Sequence, residues 1–233
     1  MTEGRPAKKI TAFMIPMLIG NVAQQLYNTA DSIIVGRFVG DNALAAVGSA
    51  GPIFNLLLVL FVGVSMGATI MVSQYFGARE RESLSKAVGT SILMTILTSL
   101  IIMILTPFVT MPLLRLLHTP ETIIYWCDSY LKILFIGVMG CAFYNILGGI
   151  LRGLGDSLSA LIYLLVATVI NIVLDYVFVA KLSLGVAGVA YATVIAQLIS
   201  AILSLRKLST MTDLFDLKLR YIKPDRAFLA EII

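Results

Sequence analysis

Long, unbroken apolar runs dominate this chain. Six stand out: residues 10–36, 47–76, 87–114, 123–151, 158–180 and 186–205. A helix needs about 20 predominantly apolar residues to cross a bilayer, so each run predicts one span. The runs are continuous rather than alternating. In lipid that pattern satisfies backbone groups within helices, not within a barrel. The expected fold class is therefore an all-α polytopic membrane protein with six transmembrane helices over residues 10–208. Residues 1–9 precede the spans as a cytoplasmic N-terminus. Residues 209–226 turn polar and basic, and the apolar pattern resumes at Ala227–Ile233.

Composition strengthens this picture. The 233 residues are 59% hydrophobic and 13% charged, about half the charged share of a soluble domain. Mean hydropathy is +0.96. The net charge of +4 reads as loop charge that orients helices, not as a nucleic-acid footprint. Of seventeen Lys and Arg, only Arg37, Arg115, Lys132 and Lys181 fall on one side of the spans. The rest mark the cytoplasmic side, which places both termini there, in a plasma or inner membrane. Arg5, Lys8 and Lys9 resemble a signal-peptide n-region, but the apolar run behind them is too long and lacks a cleavage site. Asp128 and Lys132, four residues apart, predict an ion pair on one helix face.

The polar residues inside the spans carry the chemistry. Among thirteen acids, only Asp31 and Asp175 lie well within apolar runs. An Asp at a helix centre costs roughly 2.5–3.5 kcal/mol on insertion scales. Asp31 stands six residues before Arg37, and Asp175 six before Lys181. At about 1.5 Å per residue the two acids share one depth, in the outer half of the bilayer. Asn171 precedes Asp175 by one turn, on the same face. Thr193 lies in the descending sixth span at a comparable depth. Gln24, two turns before Asp31, and Tyr144 and Asn145 in the fourth span add further oxygens. Such hard ligands suit a proton or a monovalent cation. Offsets shared by the neighbourhoods of Asp31 and Asp175, including Asn28 and Asn171, suggest that the first and fifth spans are related units.

Other signals are weaker. Pro16 should kink the first span, with a hinge as the minority reading. Gly63 with Gly67, and Gly149 with Gly153, are spaced for close helix packing. Cys127 and Cys141 read as buried free thiols, and the lone His118 is no metal site. Gly153–Asp156 matches a GxGD pattern, yet it reads as a turn between spans, not an intramembrane protease. No phosphate-binding GxxxxGK[ST] loop occurs.

Several stretches resemble the multidrug and toxic compound extrusion (MATE) family: MIPMLIGNVAQQLYNTADSIIVGRFVGDNALAAVG from Met14, SQYFGARE, LRGLGDS and NIVLDYVFV. The resemblance implies one six-helix lobe of a two-lobed transporter, not an enzyme and without a cofactor. It implies H+ or Na+ antiport exporting drug-like, often cationic compounds. It implies a coupling-cation site at Asp31, Asn171, Asp175 and Thr193, which is the only metal site and only if sodium is the ion. Gln24, Asn145 and Tyr144 would support it, and Pro16 would be the hinge. The partners implied are the lipid bilayer, a small-molecule substrate, and a C-terminal lobe or a second copy, with no nucleic acid. The chain reads as the N-terminal lobe followed by an interlobe linker over residues 209–233: a fragment, a truncated product or a half-size unit. The alternatives are a lipid-linked precursor exporter of the same superfamily and a non-transporting membrane subunit. An arginine-lined cavity would favour the former, and no arginine is expected inside a span.

Overall fold

The computed structural model describes residues 6–211, 213–216 and 221, and their side chains except at 6–10, 12, 13, 57 and 60. Seven α-helices and one π-helical turn follow in order: α1 (Pro6–Phe38), α2 (Asp41–Ala78), α3 (Arg81–Leu116), α4 (Glu121–Ile136), α5 (Val138–Gly153), α6 (Ser157–Asp175), the π turn (Tyr176–Lys181) and α7 (Gly185–Thr210). No strand occurs among the described residues. Four stretches have the length and hydropathy of a span: Phe61–Ala78, Arg81–Leu116, Ser157–Lys181 and Gly185–Ser209. Helices α4 and α5 together form a fifth, bent by 53°. Helix α1 has 33 residues, enough to cross, but Asn21, Gln24, Gln25, Asn28 and Asp31 dilute its hydropathy. One span-length segment thus answers each expected run. Residues of the 209–233 linker beyond Asp216, Tyr221 apart, lie outside the described residues.

Two of the segments are not simple helices. The fourth breaks at Gly137, where the side chain of Val194 on α7 packs so closely that a Cβ would collide with it. The fifth ends in the π turn, immediately after Asp175. Pro16, by contrast, does not interrupt α1, which runs unbroken through it.

The bundle is built inside out. In α3 the buried positions include Ser91, Thr95, Ser99, Thr106 and Thr110. Leu97, Ile101, Ile104 and Phe108 of the same helix face outward. Lipid solvates the large apolar side chains, so association relies on close packing of small residues and on satisfied polar groups. Several of these α3 hydroxyls bond back one turn: Ser91 donates to the Ala87 carbonyl at 2.7 Å, Thr95 to that of Ser91 at 2.8 Å and Thr106 to that of Ile102 at 2.7 Å.

Helix α5 is the central column, packed against α2 and α7. Its contact with α2 depends on two glycines. A Cβ on Gly149 would lie 2.6 Å from Thr69 Oγ1, and one on Gly153 would lie 2.9 Å from the Thr69 carbonyl oxygen. The paired glycines at this spacing behave as expected. Gly63 does not, since a Cβ there meets open space.

Helix ends are fixed by local chemistry. Asp156 caps α6, accepting from Ser159 N at 3.0 Å and Ser159 Oγ at 2.7 Å, and lies 3.6 Å from Lys207 Nζ. The acid of the GxGD stretch is thus a helix cap with a surface ion pair. Asp128 accepts from Lys132 Nζ and from Thr110 Oγ1, each at 2.7 Å, tying α4 to α3. His118 sits in the turn between them with φ 53°, and both cysteines are free and buried.

The α2–α5 contact generates a test. Gly153→Leu should cost about 1–3 kcal/mol through overpacking and lower the apparent melting temperature in detergent by several degrees. Gly63→Ala should leave it unchanged or raise it.

Candidate functional site

Consecutive helices α1 and α2 touch little; α1 leans instead on α6. This pairing brings the two membrane-embedded acids together. Asp31 projects from α1 and Asp175 from the last position of α6, and their carboxylates come within hydrogen-bonding reach of each other. Asp31 is 7% exposed, while Asn171 and Asp175 are completely buried.

Asn171 arbitrates between the acids. Only one orientation of its amide avoids facing oxygen to carboxylate. In it, the nitrogen donates to Asp31 Oδ1 at 2.8 Å and to Asp175 Oδ2 at 3.3 Å. The oxygen accepts from the Tyr27 hydroxyl at 3.2 Å. Tyr27 also stands beside Thr193 of α7. Asp175 Oδ1 is buried here without a hydrogen-bond partner. Tyr130 of α4 lies close to both acids. The edge-to-face contact of Phe38 with Tyr176, 5.9 Å between ring centres, clamps the end of α1 to the π turn beside the cluster.

The electrostatic demand is plain. Two like charges 4 Å apart repel by about 4 kcal/mol even at an effective dielectric of about 20. No ion pair of the described residues reaches either acid. Asn171 offers two N–H bonds, which ease the pair without supplying charge. Chemically, such a cluster of hard oxygens can accept one positive species, a proton or a cation.

Of the residues singled out by sequence, the structure brings Asp31, Asn171, Asp175 and Thr193 to this one place. It does not bring Gln24, Tyr144 and Asn145 there. They line a separate cavity of about 570 Å³, together with Pro16. This cavity lies between α1 and α2, toward the opposite end of the bundle from the acids. Helix periodicity over two turns puts Gln24 on the Asp31 side of α1 but too far along the axis to reach it. Arg152 lines the same cavity, which corrects the expectation that no arginine enters the bundle. Asn28 is exposed, so the internal echo fails at that position. Tyr27 and Tyr130 were missed. Tyr27 was findable, because it precedes Asp31 by one turn on one face; Tyr130 reaches the acids only through tertiary packing.

Comparison with known proteins agrees with this architecture. A family model described as MatE matches residues 16–177. The chain belongs to the MATE family. A MATE relative, the probable multidrug resistance protein YoeA of Bacillus subtilis, is 34% identical over 97% of this chain and 50% of its own length. The probable multidrug resistance protein NorM of Thermotoga maritima is 28% identical over 83% of this chain and 42% of its own. Among solved structures, an outward-facing multidrug resistance MATE transporter of the MOP superfamily superposes with TM-score 0.91. It has 32% identity and covers 98% of this chain and 51% of its own. An inward-facing one gives 0.83 at 29% identity, over 94% and 51%. The chain spans about half the length of the relatives it matches and corresponds to one MATE lobe.

Asn171 generates the test here. Asn171→Leu removes the donor shared by the acids and should cost about 1–3 kcal/mol. In an Asp31→Asn background the penalty should shrink, because the introduced amide supplies its own donor to Asp175. A double-mutant cycle on apparent stability in detergent reads this coupling.

Proposed function

We propose that this chain is one lobe of a cation-coupled exporter of drug-like organic compounds, cationic ones included, and that Asp31 and Asp175 bind the coupling cation. The observation that carries the reading is the direct approach of two buried carboxylates with Asn171 between them. A transporter needs a group that is stable with one more positive charge in one state and without it in another. The acid pair is such a group, since its two occupancies differ by the repulsion between the carboxylates.

The arrangement favours a proton. The carboxylates are close enough to share one. Sodium would call on the Asn171 amide oxygen beside Asp175 Oδ1 and Thr193 Oγ1. The names of the relatives support the multidrug reading. Lys and Arg placement supports termini on the cytoplasmic side, with the acid pair in the outer half. The second lobe present in the relatives' length, or a second copy of this chain, completes the substrate cleft.

Proteoliposomes test the reading. A pH gradient should drive ethidium efflux, and Asp31→Asn should reduce it at least about tenfold. Efflux driven by a sodium gradient alone would reassign the pair to sodium. Equal efflux by the variant would remove the pair from coupling altogether.

A further inference from the structure

The cavity of about 570 Å³ between α1 and α2 is within the size range of small-molecule sites, and its chemistry is opposite to that of the acid pair. We infer that it is a binding site for an anionic amphiphile, with Arg152 holding a phosphate or carboxylate head group. This goes beyond the transport reading and does not depend on it.

Four observations converge. First, the guanidinium is permanently charged yet unpaired among the described residues. The ion pairs there are Arg81–Asp216, Lys86–Glu82, Lys132–Asp128 and Lys207–Asp156, and Arg152 is in none of them. Even Asp156, one turn on, is occupied with Ser159 and Lys207. Second, the guanidinium folds back along α5: a Cβ on Gly148 would lie 3.4 Å from Arg152 Nη1. The bare glycine leaves it room beside the cavity, whose lining includes both residues.

Third, the cavity has neutral donors and no acid in its lining. Ser65 and Thr69 commit their hydroxyl protons to the carbonyls of Asn145 and Ser65, at 2.9 and 2.6 Å. The Tyr144 hydroxyl and the amides of Asn21 and Gln24 make no such commitment among the described residues, so they can donate to an oxyanion. Fourth, the mouth is apolar. Met17, Val62, Met66 and Ile70 line it and are exposed, a surface suited to an alkyl chain.

An organic cation would meet the Arg152 charge in this cavity, whereas an oxyanion would complete it. Charge-assisted hydrogen bonds to a guanidinium are the strong ones, especially when bidentate. Attraction across a half-buried site also exceeds that in water. An inorganic anion shares the head-group chemistry but gains nothing from the apolar mouth, at about 0.8 kcal/mol per buried methylene.

Calorimetric titration of the purified full chain in neutral maltoside micelles, at fixed micelle concentration, tests this. Dodecyl phosphate should bind at least about tenfold more tightly than dodecyltrimethylammonium or inorganic phosphate. Arg152→Gln should weaken dodecyl phosphate binding about tenfold or more, and Arg152→Lys should weaken it less. Equal binding by wild type and Arg152→Gln would overturn the assignment. So would wild-type preference for the ammonium amphiphile, a comparison that holds even where the variant fails to fold. Inorganic phosphate binding as tightly as dodecyl phosphate would overturn the amphiphile.

Discussion

Everything distinctive in this lobe follows from holding two carboxylates next to each other away from water. Asp31 and Asp175 come from helices far apart in sequence, so their approach requires α1 to pack on α6 rather than on α2. It also requires Asn171 to spend both amide hydrogens on them. Two adjacent carboxylates without a basic partner repel each other, and a bound positive species would relieve that repulsion. Asp175 closes α6 and the helix widens into a π turn directly after it. Local departures of this kind cluster at functional sites.

The same topology creates the second site. Because α1 leans on α6, a groove opens between α1 and α2, floored by α5 and the first turns of α6. Glycines set its shape in two ways. Gly149 and Gly153 draw α2 onto α5 through contacts with Thr69, and Gly148 leaves room for Arg152. One lobe therefore carries an acidic receptor toward one end and a basic cavity toward the other, with α1 passing both.

Much of the fold was legible in the sequence because lipid forces each span to be a long apolar helix. The acid pair was legible because carboxylates in such runs are expensive and rare, and six-residue offsets to Arg37 and Lys181 put them at one depth. What escaped was anything set by tertiary packing. The close approach that leaves no room for a side chain at Gly137 comes from Val194 of a distant helix. Gln24, Tyr144 and Asn145 are polar and embedded like the acids, so composition groups them with the acids; only the packing of α1, α2 and α5 assigns them elsewhere. Arg152 sits at a span boundary, where sequence reads a solvated cytoplasmic charge, yet its flexible stem turns inward beside Gly148.

The central claim is our proposal that the buried acid pair carries one positive species, a proton. Difference infrared spectroscopy of the purified chain in sodium-free buffer at neutral pH tests it most directly. The account predicts a carboxylic-acid C=O band that shifts in deuterium oxide and disappears in the Asp31→Asn, Asp175→Asn double variant. A spectrum with no protonated-carboxyl band, or one that the double variant leaves unchanged, would contradict it.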